Sequence, residues 1–298
     1  MSKNRALCGV LNLDKPRGLT SRAAVNFISR PLRGLRVGHA GTLDPLASGV
    51  LVVCVGAATR LIEYVQRMPK TYRTVVRLGA RSETLDADGP IVEVPDPPIP
   101  DEAQVRAALA RQVGTIAQVP PQFSALKVGG QRAYDLARAG RAVELAARPV
   151  VIDRIDLLAY DWPRLELEID CGSGTYIRSI ARDVGDALGC GGLVEVLTRT
   201  RIGPFRQEDA IDPRTITPEA IPGLLRPAVE AVAGLPQRRL SAAEVAVVAH
   251  GGAVAIGPAP PGDGEVALIG PDGTLVAIAE AEPCTGRVYP RRVLVSGA

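Results

Sequence analysis

The stretch Gly38-His39-Ala40-Gly41-Thr42-Leu43-Asp44-Pro45-Leu46-Ala47-Ser48-Gly49 limits the chain more than any other part of it. Glycines at 38, 41 and 49 and a proline at 45 rule out a continuous helix and mark a loop of tight turns. The loop runs directly into Val50-Leu51-Val52-Val53, an apolar, β-branched run that suits a buried strand. The loop therefore leads straight into a buried strand. It carries one imidazole, His39, and one carboxylate, Asp44, and the proline that follows biases Asp44 toward an extended or turn conformation. Taken alone, Asp44-Pro45 reads first as a turn device, with an aimed carboxylate as the alternative. Neither G-x-x-x-x-G-K-[ST] nor G-x-G-x-x-G occurs here, so a phosphate-cradling loop is not indicated.

Around that loop the pattern mixes strands and helices without βαβ regularity. Gly9 to Leu13 reads as a strand closed by the turn Asp14-Lys15-Pro16-Arg17-Gly18, and Thr20 or Ser21 is placed to cap a helix over 22–30. A helix is expected over 58–66, and alternation predicts a strand over 70–79. Asp86-Ala87-Asp88-Gly89 hints at a calcium loop, but Pro97 stands where the twelfth-position glutamate belongs, so this segment reads as a turn. A proline-rich loop, 94–100, leads to a helix over 101–112 with Asp101 as its N-cap, and strands follow at 150–159 and 164–171. Ile177, Ile180, Ala181 and Val184 then fall at helical spacing after Gly172-Ser173-Gly174. A helix N-terminus in that position is suited to attract an anion. Beyond Pro236 a short helix and small strands (266–269, 275–278) end in a basic segment, and His250 reads as a surface residue near a helix end.

The net charge is only +3, but its distribution is uneven: no acidic residue lies between Asp14 and Asp44, whereas Lys15, Arg17, Arg22, Arg30, Arg33 and Arg36 do. Arginine forks onto phosphates and stacks on bases, which suits RNA. The five cysteines are scattered without a C-x-x-C pair and there are two histidines, so reduced thiols and metal-free chemistry are expected. No run approaches the ~18 apolar residues of a membrane span, and the first residues lack an apolar leader, which gives a cytoplasmic expectation.

The loop from Gly38 to Gly49 resembles the active-site motif G-H-x-G-x-L-D-P-x-A-x-G of the TruB family of tRNA pseudouridine synthases, with every fixed position met. Asp14-Lys15-Pro16-Arg17-Gly18-Leu19-Thr20-Ser21 is similar to the family's N-terminal motif. Lys70-Thr71-Tyr72 is similar to its K-x-Y motif, Gly174-Thr175-Tyr176-Ile177-Arg178 to G-T-Y-I-R, and 190–203 to its last core motif, which includes Leu197. The resemblance implies an α+β catalytic domain over 1–235, built on a mixed, mainly antiparallel sheet flanked by helices. It also implies a thumb-like insertion near 120–150, in which Lys127, Arg132, Arg138 and Arg141 are available to phosphates, and a small PUA-like β domain over 236–298. The activity it implies is isomerisation of uridine 55 in the TΨC loop of tRNA, by a monomer that needs neither cofactor nor metal.

By the same resemblance, Asp44 is the catalytic carboxylate, Arg178 pairs with it, and Tyr72 stacks on the uracil and is placed to move a proton. Tyr176 and Leu197 line the pocket, and His39 fills the space that the flipped nucleotide leaves; Lys15, either a turn residue or a phosphate contact, is expected to meet phosphate because an acid-free basic stretch follows it. An adjacent guanidinium is expected to keep Asp44 ionised. Its carboxylate can attack C1′, add to C6 or act on a 2′ proton, and the sequence leaves these routes open. A tRNA-folding chaperone without catalysis and a guide-RNA-dependent relative are the alternatives.

Overall fold

A computed structural model describes residues 7–124, 126–128, 131–132, 145–257 and 264–295; at 127, 128, 131 and 132 the description is of backbone only. Its backbone pairs Lys127–Val128 with Gln131–Arg132 as a short antiparallel ladder. The side chains of Lys127 and Arg132, the whole of Arg138 and Arg141, and most of the expected thumb-like insertion lie outside the described residues.

The fold is α+β and mainly antiparallel, as expected. Among the described residues one nine-stranded sheet organises it. In chain order its main strands are β1 (Gly9–Lys15), β2 (Val37–His39), β3 (Ser48–Val55), β4 (Lys70–Leu78), β5 (Gly114–Gln118), β6 (Arg148–Asp161), β7 (Arg164–Cys171) and β8 (Gly192–Ile202). Across the sheet they stand in the order β1-β3-β8-β4-β7-β6-β5, with β2 paired to β3. The apolar run of the opening loop becomes β3, whose Val50 to Val55 are all 0% exposed, so β3 is the buried strand on which the loop is mounted.

β3 changes its neighbour halfway along. On one side it pairs throughout with β1, from Gly9↔Val55 to Lys15↔Gly49. On the other side Ser48 and Gly49 pair in parallel with Thr198 and Arg199 of β8, while Val53 to Val55 pair with β2. The sheet therefore forks beside β3, and the loop 40–47, which joins β2 to β3, hangs over the fork. Gly49 is needed there: its φ is +97°, and a Cβ would sit 2.3 Å from the Arg199 carbonyl oxygen.

The helices sit where their caps place them. α1 (Ser21–Ser29) starts at Thr20, whose hydroxyl accepts from Ala23 N–H at 3.1 Å, so Thr20 and not Ser21 is the cap. Ser21 is buried and ties α1 to the loop: its Oγ accepts from Leu43 N–H at 2.7 Å and donates to the Leu43 carbonyl at 2.9 Å. α2 (Glu102–Ala110) opens with a full capping box between Asp101 and Gln104. The segment expected as one helix over 58–66 is a 3₁₀ turn, Gly56–Leu61, followed by a short α-helix, Ile62–Arg67. α3 (Ile177–Ala187) buries Ile177, Ile180, Ala181 and Val184 against β8, as its spacing predicted. The approach is close, since a Cβ at Gly185 would meet Gly191 backbone at 2.3 Å.

A second, five-stranded sheet is built from strands between Gln237 and Val293. It does not stand apart from the first: Ala267, Ile269, Leu275 and Ile278 share an apolar cluster with Val10, Val52, Leu61 and Val65. Arg60 donates to the Val293 carbonyl at 2.7 Å and Tyr64 to Glu265 at 2.5 Å across that contact. His250 ends a helix, Ala242–Ala249, with Nδ1 2.9 Å from the Ala246 carbonyl, in keeping with a surface role.

Candidate active site

The loop, β4, β8 and the start of α3 meet around a cleft of about 470 Å³. Asp44, Tyr72, Tyr176, Arg178, Leu197 and Arg199 line it. Five of the sequence-predicted residues, scattered over 154 positions of chain, thus share one cleft. Tyr72 and Leu197 are 8% and 6% exposed, on the adjacent strands β4 and β8, with Arg199 directly opposite Tyr72 in the ladder. Tyr176 is fixed by its backbone: its N–H donates to Gln118 Oε1 at 2.9 Å and its carbonyl accepts from Gln118 Nε2 at 3.2 Å. Arg148 lies over the Tyr176 ring, 5.1 Å from its centroid. Gln118 thus holds the Tyr176 N–H just ahead of the α3 terminus that the sequence marked as a potential anion site.

Arg178 is the hub. Its side chain is 6% exposed and every partner is charged or a carbonyl: Nη2 lies 2.8 Å from Asp44 Oδ2, and Nη1 lies 3.3 Å from Asp86 Oδ2. Nη1 also donates to the Thr84 carbonyl at 2.7 Å and Nη2 to the Phe123 carbonyl at 2.9 Å. A fork that uses both ends in this way is rigid, and lysine cannot reproduce it.

Asp86 is the residue that sequence reasoning missed, having been read as part of a turn. It is 4% exposed, and Oδ1 accepts from Thr84 Oγ1 at 2.6 Å and from Asp88 N–H at 3.2 Å. One guanidinium therefore serves two carboxylates. Arg178 favours the charged form of Asp44, as expected from the sequence, while burial and Asp86 oppose it. Loss of water around Asp44 pushes its pKa up, Arg178 pulls it down, and Asp86 pushes it up again, for a net rise above the ordinary aspartate value. Asp44 itself is 40% exposed at the side chain, open toward the cleft and enclosed on its other sides.

Arg199 was likewise not singled out, although the strand period puts it on the same face as Leu197. It is 2% exposed and fills the fork in the sheet: Nε donates to the Val50 carbonyl at 2.8 Å and Nη2 to the Gly41 carbonyl at 3.2 Å. His39 lies on β2 beside this guanidinium, with a buried Nδ1 that has no hydrogen-bond partner. Burial first, and then Arg199, lower its pKa, so the ring is neutral at pH 7.

Lys15 departs from expectation. It is 0% exposed, and its ammonium donates to the carbonyls of Pro16 at 3.0 Å and Leu19 at 2.6 Å, closing the turn that precedes α1. An ammonium held inside in this way is not presented to a phosphate, and burial lowers its pKa to about 8. Lys70, at the cleft wall, is held similarly by the Gln66 and Met68 carbonyls, with its pKa also lowered to about 8 by burial. Among the described residues no cluster of three or more histidine, cysteine or acidic side chains is positioned to hold a metal ion, and no helix is long and apolar enough to cross a membrane.

Comparison with known proteins places the chain in a family. The TruB family pseudouridylate synthase N-terminal domain matches residues 29–177, and the tRNA pseudouridylate synthase B C-terminal domain matches 178–221. The chain is 45% identical to tRNA pseudouridine synthase B of Thermobifida fusca over 91% of its own length and 94% of that protein. It is 40% identical to the protein of the same name from Aromatoleum aromaticum, over 98% and 94% of the two chains. Among solved structures, one of an H/ACA RNP bound to a substrate RNA containing 2'-deoxyuridine has a chain 26% identical to this one. The TM-score is 0.73, covering 97% of this chain and 86% of that one. A chain of a Cbf5-Nop10-Gar1 complex superposes equally, with a TM-score of 0.73 at 27% identity and coverage of 97% and 85%.

Proposed function

Because this chain belongs to the TruB family of pseudouridylate synthases, we propose that it isomerises uridine 55 in the TΨC loop of tRNA, with Asp44 as the reacting carboxylate. The observation that carries the reading is the array at the cleft: Asp44, open to the cleft, braced 2.8 Å from a buried Arg178 that Asp86 holds from behind. The names of the relatives that match over nearly the whole chain favour tRNA over a guide-selected substrate.

The target nucleotide leaves its stack, at a cost of a few kcal/mol, and its uracil enters between the Tyr72, Tyr176 and Leu197 side chains. His39, neutral and flat, fills the space left in the RNA. Asp44 then assists cleavage of the N1–C1′ bond, the uracil turns, and C5 joins C1′. The C5 proton departs and N1 gains one, so reactant and product are isomers and no co-substrate is consumed. Burial raises the pKa of Tyr72, so it meets the ring as a neutral phenol, offering a π-face and a hydroxyl close to the moving proton. Residues 1–235 form the catalytic domain in this reading. The sheet of residues 237–293 is a PUA-like module that adds RNA contact.

The test is conversion of a T-arm stem-loop and of unmodified tRNA, read by mass after cyanoethylation so that both product and position are scored. Asp44→Asn is expected to make no product while binding RNA as the wild type does. It is also expected to melt at or above the wild-type temperature, because it removes a charge that burial disfavours and leaves Arg178 its partner Asp86. Product from Asp44→Asn near the wild-type rate, or modification at another position, refutes the proposal.

A further inference from the structure

We propose that the exposed face of α1 and the turn after it is a phosphate-binding surface that holds the RNA strand beside the cleft. This rests on the functional reading above and adds to it a place where the substrate backbone is gripped outside the site. In a helix of 100° per residue, Arg22, Asn26, Phe27 and Arg30 fall on one arc, opposite the buried Ala24, Val25 and Ile28. Arg33 and Arg36 continue the exposed face past the helix end. Phe27 is 42% exposed among these arginines, and an aromatic ring set among guanidinium groups suits nucleotides.

The charges on this face are free. Among the described residues, Arg22, Arg30, Arg33 and Arg36 make no ion pair and no side-chain hydrogen bond, and no acidic residue occurs between Asp14 and Asp44 to neutralise them. Many arginines on the main sheet are paired by contrast: Arg73 and Arg154 pair with Glu168, Arg164 pairs with Glu195, and Arg201 pairs with Asp170. Four unpaired guanidiniums on one surface repel one another, and the partner that relieves this is a polyanion.

The face is also joined to the reactive loop. Ser21 bonds both backbone groups of Leu43, the residue before Asp44, and Gly18 N–H donates to the Pro45 carbonyl at 2.7 Å. Arg22 stands at that junction, close enough for its charge to act on His39. From there to Arg30 the helix rises about 12 Å, a span that takes more than one backbone phosphate of one strand. An RNA strand that delivers a base to the cleft is therefore adjacent to this face.

The experiment measures affinity for a tRNA T-arm stem-loop against salt concentration, for wild type, R30Q/R33Q/R36Q and R30K/R33K/R36K, with thermal melts to confirm folding. The glutamine triple is expected to raise Kd more than about tenfold at 0.1 M salt and to flatten the slope of log K against log salt by about 2 to 3. The lysine triple is expected to keep the slope, because counterion release depends on charge. A glutamine triple with Kd within about twofold of wild type and an unchanged slope, or a lysine triple as impaired as the glutamine one, overturns the proposal. Wild-type protein that makes no pseudouridine in the same RNA instead sinks the functional reading, so the two failures are distinguishable.

Discussion

Replacing Asp86 by asparagine separates the charge of that residue from its shape. The side chain keeps its size, and Oδ1 still accepts from Thr84 Oγ1 and Asp88 N–H, at 2.6 and 3.2 Å in the wild type. What is lost is the negative charge 3.3 Å from Arg178 Nη1. The reacting and bracing carboxylates sit on opposite ends of one guanidinium, so they are no more than about 8 Å apart. At an effective dielectric constant of about 20, two unit charges at that distance interact by about 2 kcal/mol, or about 1.5 pH units. Asp44 is 40% exposed at its side chain, and solvent screening reduces this to about one pH unit or less. Removing Asp86's charge therefore lowers the pKa of Asp44, and the acid limb of kcat/KM moves to lower pH by up to about one unit. At neutral pH kcat falls instead, by about tenfold or more, because Arg178 loses the buried ion pair that braces it from behind. Single-turnover release of a C5 tritium label from uridine, followed from pH 4.5 to 8, reads both effects. A rate loss with an unmoved acid limb would reduce Asp86 to a spacer, and an unchanged rate would mean that Arg178 needs no second brace.

Three further outcomes follow from the same geometry. His39→Phe is expected to retain at least tenfold more activity than His39→Ala in the stem-loop assay, since the ring is neutral and its shape is what fills space; equal losses would assign His39 a proton-transfer role. Lys15, with a pKa near 8 against about 10.5 unfolded, sheds its proton on folding between those values, so wild type gains stability relative to Lys15→Met as pH rises through that window. The gain is up to about 3 kcal/mol, measurable by urea denaturation at pH 7.5 and 10, and a flat difference would place the ammonium in water. Gly49→Ala forces a Cβ to within 2.3 Å of the Arg199 carbonyl oxygen in strained backbone, and is expected to cost more than about 3 kcal/mol in denaturation and to impair turnover with it.

Much of this site could be read from the sequence because its parts are local. The glycine spacing of 38–49 and the valine run after it specify a loop on a buried strand, and the alternation in 70–78 specifies the strand that carries Tyr72. Helical spacing after Gly174 specifies the α3 start that carries Tyr176 and Arg178. What sequence concealed is electrostatic and long-range. Asp86 and Arg178 are 92 positions apart, and nothing in a D-x-D-G turn distinguishes a solvated aspartate from one folded inward onto a guanidinium. Lys15 was misjudged for the converse reason: a lysine in a turn either extends to solvent or bends back to cap the carbonyls of its own turn, and the carbonyls of Pro16 and Leu19 decide it. Arg199 left one trace, its parity with the buried Leu197 along β8.

The fork beside β3 has its own consequence. A ladder that changes partner partway leaves a missing rung, and the backbone oxygen of Val50 at that gap is answered by a side chain, Arg199, which also holds Gly41 at the root of the reactive loop. Architecture and chemistry thus hang on the same guanidinium. Loosening it would unzip the scaffold and slacken the loop together, so substrate tolerance cannot be widened from that side without weakening the fold, and adaptation has to come from the outer walls of the cleft.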